Sequence, residues 1–203
     1  RLKVPTVILG HGGLFCSSFA SIETDDISAS YTVAKHLIEL GHKRIAYFTG
    51  PTVSPSAQER YEGYRRALRE AEIEMDDRLV FNAGSTIEEG EKAALQLLNE
   101  NPKATAVQAV NDLVAIGAAD VFLNQGVRIP EELSIAGFGN ILVSEYFRVP
   151  LTTVRQPKLR LGYAAMDLMQ ALLRGDPADS KRLRAEIIVR ASTAPPTAKS
   201  ARN

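Results

Sequence analysis

The chain has 203 residues, 45% of them hydrophobic and 24% charged, with 24 basic and 24 acidic side chains and a formal net charge of zero. That is globular composition, with length for one ordinary domain or two small lobes. It argues against a chain built around a basic nucleic-acid face. It also excludes a helical membrane span, because no apolar run approaches about 20 residues, and an internal disulfide, because Cys16 is the one cysteine.

The first apolar run, residues 4–9, reads as a strand that breaks into Gly10-His11-Gly12-Gly13. Glycines at a strand end let backbone come close to a ligand or a neighbouring segment. Arg1-Leu2-Lys3 leads straight into this run without an initiator methionine or a signal-peptide pattern, and reads as a cut end. Asp26 can cap a helix that stops at Gly41, and residues 44–49 form the next strand. A helix over 57–71 carries the stripe Ala57, Tyr61, Tyr64, Leu68, Ala71, spaced 4, 3, 4, 3. After a strand at 78–83, Thr86-Ile87-Glu88-Glu89 is a capping box that opens a third helix. Asn111 follows the strand at 106–110 and opens a fourth helix, which Gly126 closes. Residues 113–123 of that helix are apolar nearly all round, broken by Asp120. One face should meet the sheet and the other a partner subunit. Strands follow at 133–138 and 152–155, then a helix over 159–173 with Leu161, Ala164, Ala165, Leu168, Met169 and Leu172 on one face, then a strand at 186–190. From Thr193 the tail, rich in Ala, Pro, Ser and Lys, reads as frayed. Strands alternating with helices imply an α/β fold with doubly wound parallel sheets.

Ligands of such sheets sit outside the carboxyl ends of the strands, where this sequence supplies Gly10, the loop 49–56, Gly84-Ser85, Asn111-Asp112 and Gly137-Phe138-Gly139-Asn140. His11-Gly12-Gly13 resembles an esterase oxyanion loop, but no G-x-S-x-G accompanies it, and neither His36 nor His42 is placed as a triad base. Neither phosphate-binding glycine pattern is present. No histidine, cysteine and carboxylate set has metal-ligand spacing. The expectation is therefore no enzyme, no metal and no cofactor. Arg60 stands in the first turn of its helix, beside the strand ends. It can hold a ligand by a bidentate fork, or pair with Glu59, Glu62 or a neighbouring loop. Asn111 and Asp112 are explained by helix capping alone, with a second role possible at the strand end.

The stretches "HLIELGHKRIAYFTGP", "SAQERYEGYRRAL", "AVNDLVAIGAADVFLNQGVRIPEELSIAGFGN" and "PLTTVRQPKLRLGYAA" occur in an order that resembles the LacI/GalR family of bacterial transcription repressors, from about residue 4 to residue 193. The resemblance implies a two-lobed, periplasmic-binding-protein-like effector domain with its N-terminal lobe incomplete. Residues 1–21 and 157–184 would belong to that lobe, 22–156 and 185–193 to the C-terminal lobe, and 194–203 to a flexible tail. The implied ligand is a small effector (a sugar, a sugar derivative or another small metabolite) in the interlobe cleft. The implied assembly is a homodimer through the C-terminal lobe, cytoplasmic and off the membrane, with operator DNA bound only through a head absent from this stretch. A stand-alone solute-binding protein of the same fold is the alternative reading. An α/β enzyme of flavodoxin-like shape is disfavoured.

By resemblance, Arg60 matches the family's ligand-holding arginine, and Ser54 and Ser56 fall where the same loop meets the ligand. Asn111 and Asp112 match an N-D pair at the cleft, and Gln156 falls at the lobe crossing. Three positions depart from the pattern. Gly10 and Gly139 replace ligand-binding aspartates, and Ser85 replaces a stacking aromatic. With fewer carboxylates to balance Arg60, the expected cleft is wide and less acidic, suited to an anionic or bulky ligand.

Overall fold

The computed structural model describes residues 4–10, 19–100 and 102–197. His11, Gly12, Gly13 and Cys16 lie outside the described residues. The chain divides into two compact units, residues 1–25 with 156–185 and residues 26–155 with 186–203.

The first unit holds three parallel strands in the order β1 (Val7–Leu9), β2 (Ala20–Thr24), β8 (Lys181–Leu183), with α6 (Lys158–Arg174) packed on them. Two of these strands escape sequence reading for physical reasons. β8 is Lys181-Arg182-Leu183, too short and too charged to give an apolar signal. In β2, Ser21 and Glu23 are polar yet buried. Glu23 is bonded by Ser21 Oγ at 2.9 Å and paired with Arg182 of the neighbouring strand at 3.2 Å. The compact units divide after Asp25, before Gln156 and after Ala185.

The second unit is built on a four-stranded parallel sheet ordered β4 (Val80–Asn82), β3 (Ile45–Thr49), β5 (Ala106–Ala109), β6 (Ser134–Ala136). Alternation along central β3 sorts its side chains to two faces. Ile45 and Tyr47 join Tyr64, Leu68 and Leu37 of α2 (Pro55–Glu70) and α1 (Asp26–Glu39). Ala46 and Phe48 join Phe81, Val107, Val114 and Phe122 on the side of α3 (Ile87–Glu100) and α4 (Asp112–Asn124). Each large side chain buried there contributes about 1.5–3 kcal/mol. The short α5 (Leu142–Tyr146) follows β6, and β7 (Thr153–Arg155) pairs antiparallel with β9 (Glu186–Ile188). No helix among the described residues is long and apolar enough to cross a membrane.

The apolar α4 is buried on two faces, as its pattern requires, but its second cover is α3 of the same chain rather than a partner subunit. The helices touch backbone to backbone: a Cβ on Gly90 would collide with the Val114 carbonyl, and one on Gly117 with the Ile87 carbonyl. Leu113 stays 40% exposed, so only an edge of the helix is left for a neighbour.

The tail also departs from expectation. Ser192 is fully buried, its Oγ bonded to the Ile135 carbonyl at 2.6 Å. The Ala194 carbonyl accepts from His42 Nε2 at 2.9 Å and Ser134 Oγ at 3.0 Å. Composition suggested fraying, but buried hydrogen-bond partners at β6 hold the segment through Ala194.

Candidate functional site

Arg60 is the organising side chain of the second unit's strand ends. Pro55 opens α2 with its φ already set for a helix, Ser54 caps it by accepting from the Ala57 amide at 3.4 Å, and Arg60 follows one turn later. The guanidinium donates from Nη1 to the Val110 carbonyl at 2.9 Å and from Nη2 to Asp26 Oδ2 at 3.2 Å. Its Cζ lies 3.8 Å from the centre of the Phe138 ring, a cation–π platform. Three elements thus fix the fork: α1 through Asp26, the end of β5 through Val110, and the loop after β6 through Phe138. Its side chain is 14% exposed, and Nε has no hydrogen-bond partner among the described residues.

Asp26 is the residue the sequence reading missed. As first residue of α1 it satisfied capping logic, and nothing local announces a partner in another helix. Its side chain is 3% exposed beside Arg60, so it supplies the balancing carboxylate that Gly10 and Gly139 seemed to remove. The expectation of fewer carboxylates to balance Arg60 is revised on this point, since Asp26 stands beside it.

Asp112 also has its partners within the chain. It is 1% exposed, with one carboxylate oxygen accepting from the Thr153 hydroxyl and the other from the Ile141 amide at 2.9 Å. Burial pushes its carboxyl above the ordinary value, against those hydrogen bonds and the charge of Arg190. Both oxygens are spent on stapling α4 to the segments around α5 and β7. Asn111 caps α4 by accepting from the Val114 amide at 2.8 Å, and its Nδ2 donates to the Ser85 carbonyl at 3.0 Å. Ser85 is exposed, and its amide, with that of Thr86, donates to Glu89, the predicted capping box. Ser56 is half-buried in the first turn of α2.

Gly139 has φ +131°, a conformation L side chains rarely adopt. An aspartate here would need a different backbone as well as a different side chain. The next residue, Asn140, is held through Oδ1 by Arg190 Nη2 at 2.8 Å, a contact no sequence signal announces. Arg60, Ser54, Ser56, Ser85, Asn111, Asp112 and Gly139 all belong to the second unit. Gly10 and Gln156 belong to the first, where the Gly10 amide bonds the Ile22 carbonyl and Gln156 donates to Thr24 Oγ1 at 3.3 Å. Among the described residues no group of three or more histidine, cysteine or carboxylate side chains is arranged to hold a metal.

A family model, the periplasmic binding protein-like domain, matches residues 34–193. A LacI-family transcriptional regulator from Enterococcus faecium, solved with bound ribose, superposes with a TM-score of 0.83 at 30% identity, over 94% of this chain and 71% of that one. The chain belongs to the LacI family. A LacI-family sugar-binding transcriptional regulator from Escherichia coli, complexed with phosphate, gives a TM-score of 0.87 at 29% identity, over 95% of this chain and 69% of that one. Among curated relatives, the HTH-type transcriptional repressor CytR of Escherichia coli K12 is 36% identical over 175 residues, 85% of this chain and 51% of CytR. This LacI-family chain therefore spans about half the length of the curated relatives it matches.

Proposed function

We propose that this chain is the effector-sensing and dimerising part of a LacI-type transcription regulator, working in the cytoplasm, with operator DNA contacted by a separate head and no catalytic step. The observation that carries the reading is Arg60, a nearly buried guanidinium aimed at the strand ends and immobilised by Asp26, the Val110 carbonyl and the Phe138 ring. An arginine held by three elements is preorganised to bind without loss of rotamer freedom. Ser54, Ser56 and Ser85, which follow strands of the same sheet, add hydroxyl groups suited to a polar small molecule. Because Asp26 offsets the charge, Arg60 offers directional N–H donors rather than a net positive field. A sugar, sugar derivative or comparable hydroxyl-rich metabolite fits that chemistry, and ribose and phosphate, present in related structures, are the natural first probes. The alternative, a stand-alone solute-binding protein, has less support, because the curated relatives are repressors.

Self-association rests on the second unit. Leu113 of α4 and Leu142, Val143 and Tyr146 of α5 are exposed apolar side chains. The two helices are tied by Asp112 to Ile141 and by Asp120 to Arg148 at 3.0 Å.

The test is a thermal-shift and calorimetric screen of pentoses, hexoses, nucleosides, sugar phosphates and inorganic phosphate, on wild type and Arg60→Ala. Saturable binding that disappears in Arg60→Ala supports the assignment. Binding of equal strength in the variant removes Arg60 from the site.

A further inference from the structure

Two of the chain's three histidines hold the carboxy-terminal segment. His42, 1% exposed, packs between Thr105, Ser134 and Ala194. Its Nε2 lies 2.9 Å from the Ala194 carbonyl oxygen and 3.1 Å from Ser134 Oγ, and its Nδ1 lies 2.9 Å from Thr105 Oγ1. A carbonyl only accepts, so Nε2 carries the hydrogen and Nδ1 accepts from the Thr105 hydroxyl. The neutral ring is therefore fully satisfied. His36, on α1, contacts the next link, Thr193 Oγ1, at 3.0 Å. That hydroxyl is also 3.0 Å from Thr152 Oγ1, which accepts from the Arg190 amide at 3.0 Å, and Arg190 in turn holds Asn140.

A second proton is opposed by burial, which outweighs the bond to the Ala194 carbonyl that favours it. It would make Nδ1 a donor and force the Thr105 hydroxyl to turn to the Arg44 carbonyl, 3.3 Å away. The group whose charge acts on His42 is His36, itself influenced by Glu39. The Arg44 guanidinium is turned away to Asp76 and the Pro102 carbonyl. A buried imidazolium with no carboxylate beside it among the described residues is unfavourable.

We propose that His42, seconded by His36, is a proton-operated latch that holds residues 192–194 against β6 when neutral and releases them when protonated, slackening the Asn140 loop. Burial holds both histidines below the ordinary value of 6.5. For a base with a depressed folded pKa, the latch is fully closed above that ordinary value and is lost as pH falls towards the depressed one. Opening then rises about tenfold for each pH unit in that window.

The test is a proton–nitrogen NMR titration of the full chain from pH 7.5 to 5. The amides of Ser192 and Ala194 should move together with the His42 ring signal, at a midpoint below 6.5, and Asn140 should follow. His42→Gln keeps an N–H for the Ala194 carbonyl but cannot titrate, so it should hold the segment over the titration and reduce the response to what His36 alone contributes. Invariant 192–194 amides in the wild type, or an unchanged response in His42→Gln, would overturn the latch. An Asn140 signal that stays fixed while the segment opens would overturn its transmission to the loop. Because glutamine fills much of the space of the imidazole and keeps an N–H donor, the test does not depend on a variant with a hole in the core.

Discussion

Arg60 and Asp26 stand thirty-four residues apart in sequence and 3.2 Å apart in the structure. Each is costly to bury alone, and removing one partner of such a pair leaves an uncompensated charge, at about 3–5 kcal/mol. Asp26→Ala should therefore destabilise the second unit by roughly 3 kcal/mol in urea unfolding. The double variant with Arg60→Ala should be destabilised by clearly less than the sum of the two, and additive losses would mean that the pair is not coupled. Asp112 gives a second test at this scale. Its folded pKa is raised, so the stabilisation linked to its protonated form is present below the ordinary carboxylate value of 3.8. That contribution is lost as pH rises through the folded value. A carbon-detected titration should find Asp112 above the ordinary carboxylate range, and a midpoint below 3.8 would contradict its burial. Arg60 was legible from its place in the helix and from family likeness. Asp26, Phe138 and Arg190 were not, because an ion pair, a ring platform and a loop anchor formed across the fold leave no local spacing to read.

The helices were legible because each carries a stripe of helical period or a cap: Ala57–Tyr64–Leu68 in α2, and Thr86 with Glu89 at α3. α5, with five residues, is too short to express a period. β2 carries Glu23 where a buried strand is expected to be apolar, since Arg182 of the exposed edge strand β8 neutralises it across the pair. The closeness of α3 and α4 was hidden as well, because a glycine in a helix reads as a weakness until its neighbour is known. Gly117→Ala pushes a methyl into the Ile87 carbonyl, and the helices must part at a cost of about 1–3 kcal/mol. Gly162→Ala, in α6, meets nothing within 4 Å and should gain about 0.5–1 kcal/mol from helix propensity. Opposite signs for the two substitutions in the same denaturation assay would establish that packing, rather than propensity, fixes the glycine at 117.

At the scale of the molecule, the balance of 24 basic and 24 acidic side chains offers little counterion release on a nucleic-acid duplex, so association is the property to test first. Two apolar surfaces compete for the role. One comprises Leu142, Val143 and Tyr146 on α5 with Leu113 on α4, and the other Leu159, Tyr163, Met166 and Leu173 on α6, in the first unit. Size alone does not choose between them, since both expose large side chains, Tyr146 at 75% and Tyr163 at 71%. Rigidity favours the former: α5 is anchored at its start by the Asp112 carboxylate and just beyond its end by the Arg148–Asp120 pair. A surface tied down at both ends has little freedom left to lose on docking. Under the proposed self-association, Tyr146→Glu should therefore raise the dissociation constant about thirtyfold or more, the equivalent of a buried tyrosine anchor of about 2 kcal/mol. Tyr163→Glu should leave it within a factor of three. Sedimentation velocity over a concentration series measures both, with circular dichroism to establish that each variant is folded. If Tyr163→Glu dissociates the dimer and Tyr146→Glu does not, the copies meet through α6 and the assignment of the dimer surface to the second unit is wrong.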